Sequence, residues 1–132
     1  MKHFLLSVIL YSISYGAFSS STICEVEKTQ IGVKSLTWNS VTLSARVTDE
    51  LNTIHEGKVS LITEHRPYGV KTNIFIDYIE PYYGADAAEY VVFPTRNGQF
   101  RVIGSRYIVN NGKLYLSSSL GNYSAKCIEE KI

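Results

Sequence analysis

The sequence predicts one all-β domain, an antiparallel β-sandwich or barrel of seven to eight strands with its ends joined by a disulfide. Three observations carry that prediction. Apolar and polar residues alternate with period two along most of the 132-residue chain. Turn residues recur at about 10-residue spacing. The two cysteines, Cys24 and Cys127, stand near opposite ends of the sequence. A hydrophobic content of 45% supplies a core and excludes a disordered chain. The length suits a single domain.

The first segment reads as an address. Met1-Lys2-His3 is a short basic start, and Phe4 to Phe18 is almost uninterrupted apolar. Ala17-Phe18-Ser19 then places small residues where a signal peptidase reads them. Residues 1–19 are therefore expected to be a cleaved signal peptide, with cleavage after Ser19 and with Ala17 or Ser21 as alternatives. Residues 20–132 form the single all-β domain. The apolar run, about 15 residues, is shorter than the ~20 of a spanning helix. Ile23 before Cys24 argues against a lipid anchor, which demands a small residue there. The expected location is periplasmic or secreted. An even cysteine count in an exported domain predicts a disulfide. Closing a loop of about a hundred residues is worth roughly 4–5 kcal/mol in the chain-entropy model. The first and last strands must then be neighbours.

The elements follow in order. Cys24 and Val26 share a face against Glu25 and Glu27. Leu36 and Trp38 form the next apolar pair. Val41, Leu43, Ala45 and Val47 are out of phase with that pair, so Asn39-Ser40 should be a bulge or tight turn. Val59 and Leu61 alternate within a Lys58–Thr63 strand. Glu56-Gly57 and Pro67-Tyr68-Gly69 punctuate the middle. Ile74-Phe75-Ile76 breaks the alternation and predicts either a strand covered on both faces or a face that meets another protein, such as a second copy in a homodimer. Ala85 to Tyr90 is the one helical candidate. Pro94 ends the Tyr90–Phe93 strand. Asn97-Gly98 and Asn110-Asn111-Gly112 flank the Phe100–Val109 strand, the latter as a hairpin turn needing positive φ. Leu114, Leu116 and Leu120 define the next apolar face. Tyr123, Ala125 and Cys127 define the last.

Charge narrows the function. Thirteen Lys and Arg oppose twelve Asp and Glu, for a net charge of +1. That balance argues against nucleic acid and against a polybasic membrane binder. No metal or cofactor is expected. His3 leaves with the signal, and ten extended residues separate His55 from His65 by about 30 Å. No GxSxG elbow accompanies the serines. Ser117-Ser118-Ser119 reads as a polar stretch on an edge strand. Paired cysteines leave no thiol nucleophile. Asp77, Glu80, Asp86 and Glu89 read as solvated acids rather than a hydrolytic pair. An enzyme is not expected.

What remains is recognition. From Tyr78 to Tyr90 the chain carries Tyr78, Tyr82, Tyr83 and Tyr90 with Glu80, Asp86 and Glu89, broken by Pro81 and Gly84. Tyrosine gives large contact area at small rotamer cost, and acids speed encounter with a basic cleft. This loop is the predicted partner-binding segment. A secondary candidate is the hairpin tip with His65, Arg66 and Tyr68. Arg106 lies in phase with Phe100, Val102 and Ile108, which predicts a buried arginine paired with an acid or a phase shift at Gly104.

In size, signal, disulfide and strand pattern the chain resembles small bacterial periplasmic inhibitors, either lysozyme inhibitors or immunity proteins against delivered cell-wall-degrading toxins. The Ser-Gly inhibitory loop of the lysozyme inhibitors is not matched, which directs the resemblance to the immunity proteins. It implies a secreted or delivered hydrolase or toxin as partner. The alternatives are a small-ligand or glycan-binding barrel, with Trp38 and tyrosines lining its site, and a surface or pilus subunit. A ligand barrel should carry an apolar cavity open at one end. An inhibitor should carry a filled core and a protruding tyrosine-rich loop.

Overall fold

The computed structural model describes residues 20–27 and 32–131. The predicted signal peptide, residues 1–19, lies outside the described residues. Eight strands follow in order: β1 Ser20–Val26, β2 Val33–Asn39, β3 Ser44–Asp49, β4 Ile54–His65, β5 Gly69–Tyr82, β6 Ala85–Pro94, β7 Phe100–Asn110 and β8 Lys113–Lys131. Each pairs antiparallel with the next, and β8 pairs back with β1, so the sheet closes into an up-and-down barrel rather than a sandwich. Cys24 and Cys127 are direct register partners across the closing seam. Their disulfide spans 103 residues with Cα atoms 4.0 Å apart. Such a bond fits an oxidising compartment.

Period-two alternation sends one side chain in and the next out. Leu36, Ile74, Ile76, Val92 and Val102 fill the middle of the barrel together with Cys24, and all are fully buried. Each such side chain contributes about 1.5–3 kcal/mol. A barrel of eight strands has room for little more than its own side chains, so small residues must face large ones. Gly104 lies under the Tyr90 ring, where a Cβ would come within 3.0 Å of Cε1. Gly57 gives the same space to Ile76, whose Cδ1 a Cβ would strike.

Antiparallel order sorts the connections to two ends. The β3–β4, β5–β6 and β7–β8 turns lie at one end. The β2–β3, β4–β5 and β6–β7 turns lie at the other, with Ser20 and Lys131. The hairpin turns match expectation where glycine marks them: Asn111 and Gly112 both have positive φ, as does Gly98.

Five expectations change. Glu56-Gly57 is no turn: both residues lie within β4, paired with Arg46 and Ala45. Ala85–Tyr90 is the first part of β6, not a helix: it has ladder partners on both β5 and β7, and that pairing overrides alanine's helical preference. Asn39 does start a turn, its Oδ1 accepting the Val41 and Thr42 N–H groups at 2.8 and 2.9 Å. Val41 and Leu43 belong to that turn rather than to a strand. Leu43 has φ 66°, Val41 is 60% exposed, and β3 begins only at Ser44. The Ile74–Ile76 segment alternates after all, with Ile74 and Ile76 inside and Phe75 half-buried outside. Leu114 and Leu116 are exposed, because β1 meets β8 only from Ala125 onward and Lys113–Ser119 pairs with β7 alone among the described residues. The Ser117–Ser119 stretch accordingly lies on a strand edge.

Candidate functional site

The Tyr83 end of the barrel is closed by polar side chains. Asp49 ends β3 and is 4% exposed. Its Oδ1 accepts the N–H groups of Leu51 at 2.9 Å and Thr53 at 2.8 Å, the self-capping that makes aspartate a turn residue. Its Oδ2 accepts the Tyr82 hydroxyl at 2.8 Å and faces His55 Nε2 at 3.4 Å. Burial pushes the Asp49 carboxyl up, but the hydrogen bonds from Tyr82, Thr53, His55 and Leu51 outweigh it and hold it below its ordinary value.

Aromatic rings pack around that carboxylate. Tyr82 lies 4.5 Å from the His55 ring, 5.2 Å from Tyr78 and 4.6 Å from Tyr83, centroid to centroid. The His55 and Tyr83 contacts are edge-on, a favourable arrangement at these separations. Tyr78 shares a hydrogen bond with Tyr90 deeper in the barrel. Burial, then the Asp49 hydrogen bond and its charge, drives the Tyr82 hydroxyl far above its usual range. Burial and Tyr78 do the same to Tyr90. Tyr82 and Tyr90 thus stay neutral.

The predicted segment, expected to be a loop or a broken strand end, is a hairpin whose first strand is broken near its end. Tyr78 to Pro81 bulge out between the pairs Asp77↔Ala87 and Tyr82↔Ala85, opposing only Asp86. The bulge throws Ile79 completely into solvent and leaves Glu80 exposed. The turn itself is Tyr83-Gly84, with φ 50° and 77°. Positive φ at both central residues is the twist-matched hairpin turn. Gly84 adopts it freely, whereas Tyr83 is strained there. Tyr83 is 71% exposed, backed by Tyr82 and by the Arg106 guanidinium 5.3 Å from its ring.

The remaining predicted residues separate. Asp86 accepts the Val109 N–H at 2.7 Å and ties β6 to β7 as β7 runs beyond it. Glu89 sits on the barrel wall near Asn73 Nδ2, at 3.5 Å. Tyr90 is only 2% exposed; it faces inward because its register partner is Gly104, and a partner on the outside does not reach it. His65, Arg66 and Tyr68 occupy the opposite end, beyond the far end of β5. They cannot share one interface with Tyr83. There Arg66 Nε pairs with Glu64 Oε1 at 3.2 Å, both side chains exposed.

Arg106 is inward, paired in register with Ala88. The predicted acid partner is not there: among the described residues it makes no ion pair, and its Nε is buried without a hydrogen bond. It lines a cleft of about 340 Å³ with Asp49, Glu50, Leu51, Tyr82 and Tyr83. Asp49 was not singled out from the sequence, and His55 was weighed only as a metal ligand. The Asp49-Glu50-Leu51-Asn52 turn signal was present for the first. Among the described residues no cluster of three or more His, Cys, Asp or Glu is arranged to hold a metal ion. Compared with protein-family models, with curated proteins and with solved structures, the chain matches none.

Proposed function

We propose that the protein is an exported, protein-binding domain of the periplasm or the secreted space. In this reading it blocks a cell-wall hydrolase or toxin with the Tyr83 end of its barrel. The supporting observation is Tyr83. An aromatic side chain held at positive φ, largely in solvent, at the tip of a two-residue turn carries a conformational cost that glycine would not. Beside it stand fully exposed Ile79 and exposed Glu80. An exposed aromatic on a rigid mount is the usual anchor of a protein interface, and the Asp49 network beneath supplies the rigidity.

A second reading draws on the other end. A pocket of about 420 Å³ opens there, lined by Trp38, Ile62, Val70, Thr72 and Phe100. Its size and apolar walls suit a small ligand, as the alternative of a ligand-binding barrel requires.

The experiment uses the disulfide-bonded protein, expressed with its own leader and immobilised. Envelope and secreted fractions are passed over it, and the captured protein is assayed for cell-wall hydrolysis. The expected result is a hydrolase inhibited at one-to-one stoichiometry by the wild type and not by the Tyr83→Ala, Ile79→Asp double variant. Equal inhibition by the variant moves the site away from this end. Failure to capture any protein, with saturable binding of a small apolar ligand instead, favours the second reading.

A further inference from the structure

Among the described residues Arg106 makes no ion pair. Its Cα lies on β7 opposite Ala88 and Ser118, and its side chain faces the polar end of the barrel. Burying a guanidinium costs free energy unless its donors are used. Here Tyr83 covers one face of the group at 5.3 Å, and a ring face takes none of its five N–H donors. Nε is fully buried and unpartnered. The nearby carboxylate does not relieve it, because both oxygens of Asp49 are already occupied by Tyr82, His55 and two backbone N–H groups. The cleft of about 340 Å³ that Arg106 lines is open to solvent and is shared with Glu50, Tyr82 and Tyr83.

From this geometry we infer that Arg106 is the receptor for a carboxylate carried by an incoming molecule. A guanidinium fork matches a carboxylate in plane and charge. The walls choose among anions. Arg106 is opposed by Asp49 and Glu50 in the same cleft, so a second negative charge on the ligand is repelled. A monoanionic carboxylate is accepted where a phosphate dianion is not. The Tyr83 ring, 5.3 Å from the guanidinium carbon, covers one side of the group. The inference goes beyond the protein-binding reading and does not depend on it. A free carboxylate and one displayed on a protein side chain satisfy the same group.

The test is a titration of the full, disulfide-bonded protein, following the Arg106 Nε–H resonance by NMR. The probes are N-acetylglycine, its neutral amide, inorganic phosphate, and a blocked tripeptide with a central glutamate. The expected result is a saturable shift with N-acetylglycine, with the glutamate peptide, or with both, and none with the amide. N-acetylglycine alone identifies a terminal carboxylate as the group bound; the peptide identifies a side-chain carboxylate. Arg106→Gln should weaken the active probe at least about tenfold, and Arg106→Lys, which keeps charge without the fork, should restore only part. The wild-type resonance reports even if a variant misfolds. No movement with either carboxylate at about 10 mM, an equal shift with the amide, or tighter binding of phosphate would each overturn the inference. Loss of hydrolase capture with an intact Arg106 titration would sink the protein-binding reading alone.

Discussion

The two mouths of one barrel are finished in opposite ways. At the Pro67 end, Trp38, Ile62, Val70 and Phe100 face a largely apolar opening with Glu129 on its wall, and an exposed Arg66–Glu64 pair lies at that end, of a kind worth about 0–1 kcal/mol. At the Tyr83 end, a buried carboxylate organises a turn, a histidine and a tyrosine. The same alternating strands make both mouths, so the difference lies in which residues occupy the last inward positions. Apart from the Cys24–Cys127 disulfide on its wall, the apolar end is held by non-directional contacts that tolerate adjustment. The polar end is held by hydrogen bonds with fixed angles, which suits it to mount side chains rigidly, and Tyr83 and Arg106 are mounted there.

The comparison can be broken by substitution. The largest effect is expected at the apolar end, where Trp38→Ala should lose about 3–5 kcal/mol in denaturant unfolding, equally at pH 7 and pH 4. At the polar end Asp49→Ala should lose about 2–3 kcal/mol and leave the Tyr82 hydroxyl and two N–H groups unpaired. Its effect should depend on pH. Asp49 is held below 3.8 in the fold, so its contribution is present at neutral pH and disappears as pH falls through the lowered value. The wild type should therefore lose stability below about pH 4 partly through Asp49, and the variant should lack that component. The tyrosines act in the opposite direction. Tyr82 and Tyr90 are raised above 10.0, so their contribution is intact below pH 10 and falls as pH rises beyond it; absorbance at the phenolate band should show their late ionisation. Tyr82→Phe should cost about 1–2 kcal/mol, again with a weaker acid dependence than the wild type. The smallest effect is Tyr83→Gly, which relieves the positive φ and should leave stability unchanged or raise it by up to about 1 kcal/mol, while partner binding falls.

Most of the scaffold is legible in the sequence, because a closed barrel makes period-two alternation a nearly direct record of inside and outside. Cys24 and Cys127 announce the closing seam, and Asn111-Gly112 announces its own turn. Ala85–Tyr90 misleads because alanine serves two ends: it favours helices in isolation, and in β6 it leaves room for neighbouring side chains. Val41 and Leu43 mislead because a turn placed at Asn39-Ser40 consumes four residues rather than two. At the candidate site, Tyr82 and Tyr83 are legible as an aromatic cluster, and Arg106 as an inward cation. The role of Asp49 is not, since it depends on Tyr82, 33 residues along the chain, and on a register that no local pattern encodes. The separation of His65, Arg66 and Tyr68 from Tyr83 likewise follows from topology alone.

The most direct test sets one end against the other in binding. The affinity of the captured hydrolase is measured for Tyr83→Gly and for Tyr68→Ala, each first shown to unfold at or above the wild-type midpoint. The account predicts a loss of at least about tenfold for Tyr83→Gly and wild-type affinity for Tyr68→Ala. Wild-type affinity for Tyr83→Gly with a loss for Tyr68→Ala would contradict it and place recognition at the apolar mouth.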